Sequence, residues 1–130
     1  MKTNQIRMYH NPNCSKSRAA LALLEENGFS VEVIYYLEQA PNETEIANLA
    51  KQLGIPLRQM LRKNETVYQD FRLDDLQLAD EIVLDIVAKH PILIERPIIQ
   101  FGSKAIIGRP PESVVPFIKN ELADKGAVNE

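Results

Sequence analysis

The chain predicts a layered α/β fold in which helices cover a mixed, four-stranded sheet. Three observations carry the prediction: a strand, helix, strand alternation over residues 6–37, helical periodicity through the middle of the chain, and an apolar hairpin pattern over residues 96–108 that precedes a last helix.

The first strand is IRMY, residues 6–9, closed by the turn cluster Asn11, Pro12 and Asn13. A helix then spans Ser15 to Asn27, because its residues are mostly good helix formers, Ala20, Leu23 and Leu24 share a face, and Gly28 supplies a left-handed stop. SVEVIYYL follows and reads as the second strand, with Val31, Val33 and Tyr35 alternating against Glu32 and Ile34. A helix of that length makes a crossover, so the two strands are expected to be parallel and connected in the right-handed sense. Asn42 and Glu45 fit a capping box, after which Ile46, Leu49, Ala50 and Leu53 repeat at helical spacing until Gly54. Pro56 opens a shorter piece, PLRQMLRKN, that ends in a loop at Asn64, and residues 65–78 are polar without a clear period. ADEIVLDIVAKH carries Ile82, Val83, Ile86 and Val87 on one side before Pro91 forbids continuation, with His90 closing the helix. RPIIQ, the turn FGS and KAIIG read as an antiparallel hairpin with Gly102 in the connection. Pro111 suits the first turn of a last helix, PESVVPFIKNEL, in which Pro116 sits awkwardly, and ADKGAVNE reads as a frayed tail.

At 130 residues and 45% apolar content, one compact domain over residues 1–130 is expected, with no repeat or linker to divide it. A formal charge of −3 gives no bulk preference for nucleic acid or membrane, so neither is an expected partner. The N-terminal stretch MKTNQIRMYH lacks the apolar core of a signal peptide, and the cytoplasm is the expected compartment. No clustered Cys/His spacing, G-x-G-x-x-G or P-loop is present, so no bound metal or nucleotide cofactor is expected.

Cys14 is the only cysteine, which leaves it as a small apolar residue or as a thiol with a use. A helix starting at Ser15 sets that thiol beside unpaired backbone N–H groups and the positive end of the macrodipole, both of which favour thiolate. Lys16, Arg18 and His10 add cationic groups nearby, and Ser15 and Ser17 add hydroxyls. Pro12 and the asparagines hold the loop out of regular structure, so the sulfur is expected to be reachable. Cysteine is also a poor cap compared with Ser, Asp or Asn, which argues against a purely structural role. The pattern to Ser17 is C-x-x-S, so any disulfide chemistry needs a thiol from outside the chain, such as glutathione or a small redox protein. On their own, Arg58, Arg62, Lys63 and Arg18 would pass for solvated charges; Arg96 and Arg109 gain some weight because each precedes a proline that fixes the local backbone.

HNPNCSKSR after the first strand, LRKN in mid-chain, HPILIERPII and GRPPESV together resemble the glutaredoxin-dependent arsenate reductases of the ArsC family, in order from residue 5 to about residue 120. The resemblance implies a thioredoxin/glutaredoxin-like fold with a helical insertion, and arsenate as substrate. It implies Cys14 as nucleophile, His10 as the histidine whose charge helps to acidify it, and Ser17 as the serine close to the thiolate. Arg62, Arg96 and Arg109 match the arginines that surround the oxyanion, with the Arg96–Pro97 bond cis and facing the cysteine. Glutathione enters as co-substrate and glutaredoxin as partner. Two expectations compete: an ArsC-like thiol oxidoreductase that acts on another oxyanion or on glutathionylated partners, and a regulator of the same fold, resembling Spx and binding RNA polymerase; such regulators carry C-x-x-C, where this chain has Ser17.

Overall fold

The structure, a computed structural model, describes residues 5–129. In chain order its elements are β1 (Ile6–Tyr9), α1 (Ser15–Glu26), β2 (Val31–Ile34), α2 (Glu43–Leu53), α3 (Thr66–Asp70), α4 (Asp80–Lys89), β3 (Ile98–Phe101), β4 (Lys104–Ile107) and α5 (Val114–Asn129). They group into two compact units: Met1–Ile34 with Arg96–Glu130, and the inserted segment Tyr35–Glu95.

The first unit holds the sheet, in the order β2-β1-β3-β4. β1 and β2 are parallel, as the crossover length requires, while β3 pairs antiparallel with both β1 and β4. Alternation along the strands puts Ile6, Met8, Ile99 and Phe101 on one face, and the β1/β3 register sets Met8 opposite Ile99. Ala20 and Leu24 of α1, with Val114 and Ile118 of α5, meet that face to form the core. Each pair is spaced i, i+4, one stripe of a helix, and each large apolar side chain so buried contributes roughly 1.5–3 kcal/mol. α1 is capped by Asn27, whose backbone N–H donates to Leu23 O at 3.2 Å, and by Gly28, which is left-handed at φ 83° and donates to Glu25 O at 3.0 Å.

Two expectations change here. The second strand stops at Ile34 because Tyr35 opens a turn, its carbonyl accepting from Glu38 and Gln39 N–H. The tail read as frayed is helical through Asn129, while residue 130 lies outside the described residues. Pro116 is tolerated as the third residue of α5, where a helix leaves its N–H without an intrahelical partner anyway.

The inserted unit is helical. α2 has the expected capping box, Asn42 Oδ1 accepting from Glu45 N–H at 2.8 Å and Glu45 Oε1 accepting from Asn42 N–H at 2.9 Å. Its buried Ile46, Leu49 and Ala50 belong to a helix that packs against α4, which buries Val83, Ile86 and Val87 but leaves Ile82, expected on the same side, 51% exposed. The piece after Pro56 is a 3-10 turn (Leu57–Met60), and the polar stretch without a period contains the short α3. Leu61 and Ile94 form an isolated antiparallel bridge. Arg58, which sequence alone assigns to solvent, is instead a clamp: its guanidinium donates to the carbonyls of Leu73 and Leu78, both at 2.6 Å. Tyr35 and Phe71 stay exposed, Phe71 tilted against the His90 ring at 5.5 Å.

Candidate active site

The sheet register gathers the candidate residues of the first unit at one end. β1 exits at Tyr9 opposite Ile98, where β3 enters, and Ile98 pairs with Ile107, where β4 exits. The loop after β1, the Arg96–Pro97 segment before β3 and the Gly108–Arg109 segment after β4 therefore share one edge. Pro97 O accepts from Gly108 N–H at 2.8 Å, and Arg109 Nη1 donates to Arg96 O at 3.4 Å. Gly108 is needed for this approach, since a Cβ there would lie 2.9 Å from Val114 Cγ1 and 3.0 Å from Pro97 Cγ. Both Arg-Pro bonds, Arg96–Pro97 and Arg109–Pro110, are cis. The second was not anticipated, although the repeated Arg-Pro pair was a signal available to find it.

Local hydrogen bonds shape the loop around the thiol. Asn11 Oδ1 accepts from Asn13 N–H at 2.9 Å, Asn11 O accepts from Cys14 N–H at 3.0 Å, and Pro12 O accepts from Arg18 Nη1 at 2.9 Å. Cys14 thus becomes the N-cap of α1 with extended backbone, and its side chain closes no regular capping hydrogen bond. The backbone N–H groups of Ser17 and Lys16 nonetheless point toward the sulfur, as the free end of a helix dictates. Burial pushes the thiol up, but the Ser17 N–H, the Arg96 guanidinium and the Lys16 N–H together hold it below the ordinary thiol value.

The expectation of a reachable sulfur needs correction. Cys14 keeps only 9% of its surface exposed and is a buried residue.

The His10 ring is buried, and its Nδ1 lies 2.6 Å from Ser17 Oγ. Burial first, then Arg18, lowers its pKa, with Glu25 opposing, which favours the neutral imidazole. Ser17 is fully buried, accepts from Asn11 N–H at 3.1 Å through Oγ, and presents its own N–H to Cys14. Positive charge at the sulfur comes from Arg96.

Arg96 has one further property. Its Nε is buried without a hydrogen-bond partner among the described residues. Arg109 is exposed next to it. Arg62 belongs to the inserted unit, where Nη1 pairs with Glu65 Oε2 at 2.6 Å and its N–H donates to Leu93 O at 2.7 Å. Among the described residues no helix is long and apolar enough to cross a membrane.

Comparison with known proteins follows this geometry. Residues 9–117 match the family described as "ArsC family". The chain is 44% identical over 112 residues to the "Arsenate reductase" of Haemophilus influenzae, covering 85% of this chain and 97% of that protein. It is 42% identical over 117 residues to "Uncharacterized protein YfgD" of Escherichia coli K12, covering 89% and 98% of the two chains. The solved structure "Arsenate reductase from Vibrio cholerae" superposes with a TM-score of 0.84 at 46% identity, covering 87% of this chain and 97% of that one. The chain therefore belongs to the ArsC family and has its thioredoxin-like fold.

Proposed function

We propose that the protein is an arsenate reductase that takes its second thiol from glutathione and is recycled by glutaredoxin. The observation that carries this reading is Arg96, a guanidinium beside the Cys14 thiol that lowers its pKa. Arsenate is anionic at neutral pH and so is the thiolate, so their encounter needs cations fixed in advance. Arginine suits this because its planar fork grips two oxygens of a tetrahedral anion and does not deprotonate. Arg96 and Arg109 supply that grip from adjacent backbone, and the Ser17 and Lys16 N–H groups add the helix end that favours anions. Arg62 completes the proposed set of three, as the family pattern implies.

In the first step the Cys14 thiolate displaces one hydroxyl of arsenate, which leaves as water after protonation, and an S–As bond forms. The glutathione thiol then attacks, its sulfur joining that of Cys14. The electron pair passes to arsenic, reducing As(V) to As(III), and arsenite departs. The chain has one cysteine, so this second thiol has to come from outside. Glutaredoxin reduces the resulting mixed disulfide and restores Cys14. The names of the Haemophilus and Vibrio relatives support the substrate.

The test is a coupled assay with arsenate, glutathione, glutaredoxin, glutathione reductase and NADPH. Arsenate-dependent NADPH oxidation is expected from the native chain and is abolished in Cys14→Ser. Oxidation that does not depend on arsenate would remove the substrate assignment, and turnover by Cys14→Ser would remove the nucleophile.

A further inference from the structure

We propose that the inserted unit carries a second binding site, for a small zwitterionic molecule of amino-acid or short-peptide type, in the cleft lined by Lys63, Tyr68, Arg72, Asp74 and Asp75. The cleft has a volume of about 750 Å³, within the range of small-ligand sites. It lies wholly within Tyr35–Glu95 and uses neither Cys14 nor the arginines of the first unit.

Its lining has both signs of charge that do not satisfy each other. The side chains of Lys63, Arg72 and Asp74 have no ion pair or hydrogen bond among the described residues, although opposite charges face the same space. A ligand with a carboxylate and an ammonium would bridge them, the carboxylate on Lys63 and Arg72, the ammonium on Asp74 and Asp75. A simple anion or cation would meet repulsion from half the lining.

Tyr68 is an independent pointer to a ligand. The residue is 7% exposed, yet its hydroxyl has no partner among the described residues and is not among the side-chain atoms closed off from solvent. Tyr68 is also one of the residues that line the cleft. It is a buried ring whose hydroxyl is free to donate to and accept from a ligand there.

The acidic wall is held in place before any ligand arrives. Arg58 grips the carbonyls of Leu73 and Leu78 at either end of it, Asp75 Oδ1 accepts from Gln77 N–H at 2.9 Å, and Arg72 is fixed at φ 52°. Such preorganisation lowers the entropic cost of binding.

The probe is S-methylglutathione, a zwitterionic peptide whose blocked sulfur cannot react with Cys14, titrated into the full chain and followed by backbone amide shifts. Saturable shifts confined to residues 63–75 are expected. Arg72→Gly removes the guanidinium at a backbone angle that glycine adopts freely, so the fold is spared; it and Asp74→Asn should each weaken binding at least about tenfold, and Tyr68→Phe by less. The N-acetylated probe, which lacks the ammonium, should lose a comparable factor. L-glutamate separates the two sources: equal affinity assigns the site to free amino acids, weaker affinity to peptides. Absence of shifts at millimolar probe, equal binding of the N-acetylated probe, or insensitivity to Arg72→Gly and Asp74→Asn would overturn the proposal.

Discussion

The Cys14 pKa is lowered by its neighbours against the pull of its own burial, and Arg96 is the neighbour that a single substitution removes without touching the helix. Arg96→Gln leaves the Ser17 and Lys16 N–H groups in place but takes away the guanidinium, so the thiol pKa should rise toward its ordinary value. The pH dependence of iodoacetamide alkylation measures this; an unshifted midpoint would assign the acidity to the helix end alone. His10 gives a second, oppositely signed signature. Its folded pKa lies below the unfolded value of about 6.5, so protons favour the unfolded chain. Its stabilisation is complete above pH 6.5 and is lost as the pH falls through that value toward the lower folded one. Denaturant unfolding across this window should show a steeper acid decline for the native chain than for His10→Asn; parallel curves would contradict a buried neutral ring. The position of the thiol at a helix start was legible from Ser15 onward. That the His10 ring is buried against Ser17 was not, because burial is a property of the folded unit.

Elements with a strong period were legible almost to the residue: α2, with its capping box, and α4, stopped by Pro91, needed nothing beyond their own sequence. α3 was not, since five residues are too few to set a period above background. Arg58 was invisible for another reason. It is separated by 15 and 20 residues from the carbonyls it grips, so no local pattern announces it. Arg58→Ala should destabilise the protein by about 2–4 kcal/mol, each hydrogen bond from a charged donor contributing about 1.5–3 kcal/mol with some recovery by water. Arg58→Lys should restore less than half, because an ammonium cannot span two carbonyls as a planar fork does. Urea midpoints decide the matter, and a loss under about 0.5 kcal/mol would return Arg58 to the class of solvated charges.

For the chain as a whole, the sheet order and the split into two units decide what a bound anion can stabilise. The residues proposed to hold it come from positions 14, 96 and 109 in the first unit and 62 in the insertion, segments that were recognisable singly; that those of the first unit come to one end of the sheet depends on strand register. Any ligand that binds only the folded arrangement adds stability by mass action, about 2.7 kcal/mol at a hundred times its dissociation constant. For a chain of this length that is a rise in Tm on the order of 10 °C. Arsenate should produce that rise in the native chain and in Arg58→Ala, which starts lower but keeps the anion ligands, and should fail to produce it in Arg96→Ala and Arg109→Ala. Arg62 supplies the sharpest case. If it is the third ligand, Arg62→Ala also loses most of the rise, and arsenate protects amides of both units from hydrogen exchange in the native chain. If the anion is held by the first unit alone, Arg62→Ala keeps the full rise, protection stays within Met1–Ile34 and Arg96–Glu130, and the Arg62–Glu65 pair is structural only.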